Sequence, residues 1–107
     1  MPFEALEISL EAIRSLRSPL RRIRAQDPRL YQQIRSAASS VTLNLAEGSR
    51  RSGKDRLHLW RIAAGSAEEV RAALRAAEAW GDLDVPAVAP TLALLDRVLA
   101  MLWRLTH

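Results

Sequence analysis

From Phe3 onward, apolar residues return every three or four positions: Phe3, Leu6, Leu10, Ile13, Leu16, Leu20 and Ile23. That interval stacks them on one face of an α-helix, and no segment shows the alternate-residue pattern of a half-buried strand. Pro19 falls inside this stretch but off the stripe, where its missing N–H is expected to kink or locally break the helix. "AQDPR" then offers a stop and a new start, with Asp27 as N-cap and Pro28 at the first helical position.

The same interval carries the second helix through Leu30, Ile34, Ala38, Val41 and Leu45, with Gly48 suited to a left-handed C-terminal cap. The third begins near Ser52, presents Leu57, Trp60, Ala64, Ala67, Val70, Leu74 and Ala77, and ends at Gly81. The fourth starts between Pro86 and Pro90 and runs to the C-terminus. Small residues in "SAASS" (36–40) and "AAGSA" (63–67) allow the second and third helices to approach closely. Four helices joined by short turns predict an all-α fold, an antiparallel up-down-up-down four-helix bundle with residues 1–107 as one domain. At 107 residues, 49% hydrophobic and 26% charged, the chain has the composition and length to bury a core.

The fourth helix carries more apolar surface than one core needs. Leu92, Leu95, Leu99 and Leu102 make one stripe, and Leu94, Val98, Met101 and Leu105 make a second beside it. Only Ala93, Asp96, Arg97, Ala100 and Arg104 remain polar or small. A single core requires an apolar face of roughly 100°. The surplus predicts a second buried contact, most simply self-association through Leu94, Val98, Met101 and Leu105.

Charge is distributed unevenly. Residues 1–13 hold three acids and no base, residues 14–61 twelve bases against three acids, and residues 62–107 four bases against six acids. The middle segment therefore carries +9 of a net +4, which points to an anionic partner. The competing reading is a solvated face in a chain that uses fifteen arginines and one lysine. Two clusters stand out: Arg50, Arg51, Lys54 and Arg56 at the turn between the second and third helices, and Arg14, Arg17, Arg21 and Arg24 along the first. In an up-down bundle the Arg21–Arg29 end lies opposite the Arg50–Arg56 end. Aromatic residues are too scattered for base reading, so backbone electrostatics is the expected mode of nucleic-acid binding.

Residues 48–55 read G-S-R-R-S-G-K-D, one letter short of the phosphate-binding pattern G-x-x-x-x-G-K-[ST]. That loop works where a strand feeds a glycine-rich turn into a helix, with a hydroxyl to hold Mg²⁺. Here a helix precedes the turn and Asp55 replaces the hydroxyl. A helix stop and a helix start explain the letters better, with Ser52 and Asp55 as a capping-box-like pair.

Enzymatic chemistry finds no footing. The two histidines, His58 and His107, have no spaced partner for a metal, and no base is placed to activate a serine. With no cysteine there is neither a disulfide scaffold nor a thiolate site, so no metal and no cofactor are expected. The acidic N-terminus does not resemble a secretory signal, and no apolar run approaches the ~18 residues of a membrane span. A cytoplasmic protein without a membrane partner is the expectation. Asn44 lies between Val41 and Leu45 near the buried face and needs hydrogen-bond partners. Together with Glu47, Arg35 and Arg61 it is read as a structural polar network.

The segment "QIRSAASSVTLNLAEGSRR…RIAAGSAEEVRAAL…WGDLD" resembles the small bacterial four-helix bundle family first noticed as products of intervening sequences in the large-subunit ribosomal RNA gene. The pattern Q-[IL]-R-x-A-A-x-S-[IV]-x-x-N-[IL]-A-E-G is met from Gln33 to Gly48, and R-I-A-x-G-S-x-x-E from Arg61 to Glu69. The resemblance implies a basic ring of subunits, typically a homopentamer, with no known enzymatic activity. It also implies kinship with the accessory variability determinant proteins of diversity-generating retroelements, which bind nucleic acid and a reverse transcriptase. Relatives often place aromatics early in the third helix, where this chain has Arg56 and Leu59. The implied function is that of an accessory or scaffold protein binding RNA or DNA. The alternative is an oligomeric adaptor that recruits a partner protein.

Overall fold

A computed structural model describes residues 3–107. It contains four α-helices: α1 (Glu4–Gln26), α2 (Pro28–Ser49), α3 (Gly53–Trp80) and α4 (Val85–Thr106), with no strand among the described residues. α1 packs on α2 and α4, and α3 packs on the same two, so the helices form a four-sided bundle in chain order. The result is a rod of 42 × 22 × 21 Å. Chain direction brings the start of α1, the α2–α3 turn and the end of α4 to one end, where the Phe3 and Trp60 rings stack with centroids 5.2 Å apart. The α1–α2 and α3–α4 turns share the other end, and there Arg22 reaches Asp84 at 3.7 Å.

Helix boundaries follow local chemistry. The Asp27 side chain accepts a hydrogen bond from the Leu30 amide at 3.0 Å, and Pro28 opens α2, as the sequence indicates. Replacing Asp27 with alanine is expected to cost about 1 kcal/mol of stability, measured by urea unfolding, because that amide loses its acceptor. Gly81 adopts the left-handed conformation (φ 85°) that ends α3. The helix boundary after α2 differs from expectation. α2 runs past Gly48 to Ser49, its C-cap is Arg50, and the left-handed glycine of this turn is Gly53 (φ 58°). Nor does α1 break at Pro19. The proline is buried within a continuous helix, and Pro90 likewise sits inside α4.

One cluster of buried side chains runs through all four helices, including Leu16, Ile23, Ile34, Leu45, Val70, Leu74 and Leu102. The α2–α3 contact is the most extensive of the four, and small residues make it. Ala37, Ala38, Ala63 and Ala67 are buried there. Hydroxyl pairs link neighbouring helices at three places: Ser9 with Thr42 at 2.8 Å, Ser15 with Thr91 at 2.6 Å, and Ser40 with Ser66 at 2.9 Å.

Two stripes sit differently from their predicted positions. In the first half of α1 the core is filled by Ala5, Ile8, Ser9 and Ala12, while Phe3, Leu6, Leu10 and Ile13 are only half-buried. Small side chains let α1 settle closely, and the larger ones fall to its flank. In α4 the two predicted stripes merge into a single core line, Val88, Thr91, Leu95, Val98, Leu102 and Thr106, with Leu92, Leu94, Leu99 and Met101 as half-buried shoulders. Val98 is fully buried within its own bundle and cannot serve as a subunit contact, which corrects its assignment to an oligomer interface. Leu94 and Met101 are half-buried against the same core, and Leu105 is 45% exposed. By length and composition alone α4 is apolar enough to cross a membrane, with an 18-residue window of mean hydropathy 1.6, although it holds no continuous apolar run of that length. Asp96 and Arg97 interrupt any continuous apolar run, so the property appears only as an average over the helix.

Candidate nucleic-acid interface

At the α2–α3 turn the four basic residues divide by role. The Arg51 guanidinium donates from Nε and Nη2 to Glu47 Oε1, at 3.1 and 2.7 Å. That hydrogen bond and then the Arg51 charge hold the Glu47 carboxyl below its ordinary value, against an opposing effect of burial and with a lesser contribution from Arg50. Because the folded-state value is depressed, the pair stabilises the turn above the ordinary carboxylate range. The contribution is lost as pH falls through the lowered value. Arg56 donates to the Gly48 and Ser49 carbonyl oxygens, each at 3.1 Å, and its guanidinium lies 5.3 Å from the Trp60 ring centroid. It serves the Ser49 carbonyl at the end of α2 and adds a second donor to that of Gly48, which also accepts from the Arg51 amide. Arg50 and Lys54 are exposed and form no ion pair within 4 Å among the described residues. Ser52 is the N-cap of α3 but makes no side-chain capping bond, so the capping box expected from Ser52 and Asp55 does not form.

Along α1 the division is different. Arg14 pairs with Glu11 on its own helix, and Arg22 pairs with Asp84. Arg17, Arg21 and Arg24 form no ion pair among the described residues and line a groove between α1 and α2. Arg35 enters the same groove from α2, also without an acidic partner. The cavity measures about 340 Å³ and is floored by Ile13, Leu16, Leu20 and Ala38, with Tyr31 and Ser39 on the α2 side. The Arg24 guanidinium stands 5.4 Å from the Tyr31 ring centroid. Helical register explains the convergence: Arg17 and Arg24 are two turns apart on one flank of α1, and Tyr31 and Arg35 one turn apart on α2.

The polar network read from the sequence does not assemble. Asn44 donates to the Ser40 carbonyl and hydroxyl oxygens at 2.9 and 3.0 Å, and so finds its partners on its own helix. Glu47 is engaged by Arg51, and Arg61 donates to the Thr106 carbonyl oxygen at 3.1 Å, closing the end of α4 onto α3. Arg35 is exposed and belongs to the groove. The reason is rotational: Asn44 sits at the edge of the buried face, close enough to Ser40 to be satisfied locally. Sequence reasoning overlooked Tyr31 and Arg35 as groove residues, although their four-residue spacing opposite the α1 arginines was the available signal. Among the described residues no three His, Asp or Glu side chains come together to hold a metal.

What this arrangement can do is hold anions. Arginines offer two parallel donors each to phosphate oxygens, and the four around this groove form no ion pair with a carboxylate among the described residues. No curated protein and no solved structure matches the chain. A family model described as 23S rRNA-intervening sequence protein matches residues 4–104, which take in both basic regions, α1 to α3 and all but the last two residues of α4. The chain belongs to the 23S rRNA-intervening sequence protein family.

Proposed function

We propose that this protein is a non-enzymatic, self-associating helical bundle that holds nucleic acid by its backbone and serves as an accessory or scaffold protein. The observation that carries the reading is the set of four arginines, Arg17, Arg21, Arg24 and Arg35, collected on the α1–α2 face without acidic partners among the described residues. Arg50 and Lys54 add positive charge at the far end of the 42 Å rod, so a long polyanion lying along the bundle meets basic side chains at both ends. Affinity for short RNA and DNA, titrated by fluorescence anisotropy from low to physiological salt, is expected to fall linearly on logarithmic axes as counterions are released. Absence of binding to either nucleic acid at low salt would remove this function.

Self-association rests on the apolar side chains the bundle leaves at its surface. Trp103 is 60% exposed, and Leu105, with Met101 and Phe3, borders an open pocket of about 250 Å³ between α1 and α4. Leu94 and Met101 continue this flank at helical spacing. Sedimentation at micromolar concentration is expected to give an oligomer, with Met101→Asp and Leu105→Asp together shifting it toward monomer. A wild-type monomer at that concentration refutes the assembly. A second reading, an adaptor for a protein partner, is favoured by Trp80, which is 79% exposed at the end remote from that flank. A stoichiometric protein partner that survives nuclease and high salt, and is lost on Trp80→Ala, would establish it.

A further inference from the structure

The four groove arginines surround a cavity, and charge alone does not require one. A duplex backbone binds to a flat basic surface, with its bases stacked inside and unavailable. Here the floor between the guanidinium groups is Leu16, Leu20 and Ala38, apolar side chains that gain nothing from phosphate. We propose that the α1–α2 groove is a seat for one unpaired nucleotide of a single strand. The base lies on the apolar floor beside Tyr31, and the flanking phosphates are held by Arg17, Arg21, Arg24 and Arg35. This rests on the nucleic-acid reading above and adds which form of nucleic acid the protein takes.

Three features support that occupant. The cavity, about 340 Å³, falls at the lower end of the range of small-ligand pockets, which suits a single nucleotide. Tyr31 is half-buried at the groove, and the Arg24 guanidinium lies over its ring, so an aromatic and a guanidinium plane stand together there. Aromatic and guanidinium planes are the surfaces on which unpaired bases stack. The charge pattern fits as well. An acidic peptide supplies one carboxylate per acidic side chain and would meet four guanidiniums within one groove, whereas a strand supplies a phosphate on each side of every base.

The test compares a 12-nucleotide single-stranded RNA, the same DNA sequence and its duplex at one fixed low salt concentration. Wild type is measured against Tyr31→Ala and Ser39→Trp, two changes that keep every arginine. Tyr31→Ala removes the stacking face, and Ser39→Trp fills the groove from an exposed position. Circular dichroism confirms that both variants stay helical. The expected result is single-strand binding about tenfold tighter than duplex binding, with both variants reducing single-strand affinity to the duplex level. Equal affinity for both forms, or single-strand binding that neither variant alters, overturns the seat while leaving backbone binding intact. Failure to bind either form refutes the proposed function itself. Tight binding of a leucine-containing acidic peptide, lost on Ser39→Trp and accompanied by no strand preference, overturns the seat in favour of a protein partner.

Discussion

Gly48→Ala is expected to destabilise the bundle by about 1–3 kcal/mol, whereas Gly65→Ala, also inside a helix, stabilises it by up to about 1 kcal/mol. Both changes give a helix interior a residue of better propensity and less unfolded-state entropy. What separates them is space. A Cβ on Gly65 meets nothing within 4 Å, while one on Gly48 would lie 2.5 Å from Trp60 Cδ1 and 2.6 Å from its Nε1. Trp60 has little freedom to yield. It is buried, its ring stacks on Phe3, its indole N–H donates to the Leu45 carbonyl oxygen at 3.3 Å, and the Arg56 guanidinium lies over it. Overpacking against a pinned ring therefore outweighs the propensity gain. Urea unfolding of the two variants beside wild type checks both signs, and a stabilising Gly48→Ala would mean that α2 and α3 can move apart at this end without penalty.

Neutralising Arg17, Arg21, Arg24 and Arg35 together to glutamine is expected to make the salt dependence of single-strand binding shallower by about 1.4 logarithmic units per decade, at roughly 0.7 for each of the phosphates on either side of the seated base. The bundle should stay folded, since none of the four makes an ion pair among the described residues and all are exposed. The corresponding change at Arg50, Arg51, Lys54 and Arg56 behaves differently. It is expected to reduce the slope by only about 1 and to lower stability by about 1 kcal/mol, because the α2 carbonyls lose the Arg56 donors. Anisotropy titrations over several salt concentrations, paired with thermal melts, read both quantities. A larger slope change from the turn set than from the groove set would move the binding site to the opposite end of the rod.

The helices were legible from apolar spacing, and the α1–α2 junction from Asp27 and Pro28, because caps and periodicity are local properties. What escaped was rotation. The Phe3, Leu6, Leu10 and Ile13 stripe is as regular as the true core line through Ala5, Ile8 and Ala12, but alanine contributes little to a hydropathy pattern while permitting the closest approach. In α4 the same ambiguity split one core line and its shoulders into two stripes and sent Val98 outward. Gly48 shows the limit from another side: a glycine near a helix end reads as a cap, and only the position of Trp60 on α3 reveals a packing role. For the candidate site, the arginine clusters were visible as letters. Which arginines are already occupied was legible only where the partner is local, as for Arg51 with Glu47 four residues away, since Asp84 and the carbonyls at the end of α2 come near Arg22 and Arg56 only in the folded chain.

The paired hydroxyls between helices have a consequence for the groove. Alanine-lined helix contacts are smooth, and burial alone discriminates weakly between one axial alignment and another displaced by a turn, about 5.4 Å. The links from α1 to α2 and from α1 to α4 act as detents against such sliding. A slipped α1 would strand Thr91, which is fully buried and otherwise held by Ser15, at a cost of about 1–3 kcal/mol. Arg17 and Arg24 on one helix stay level with Arg35 and Tyr31 on the other only while Ser9 stays beside Thr42. The spacing of the cationic cluster is thus set by neutral side chains that never meet the ligand.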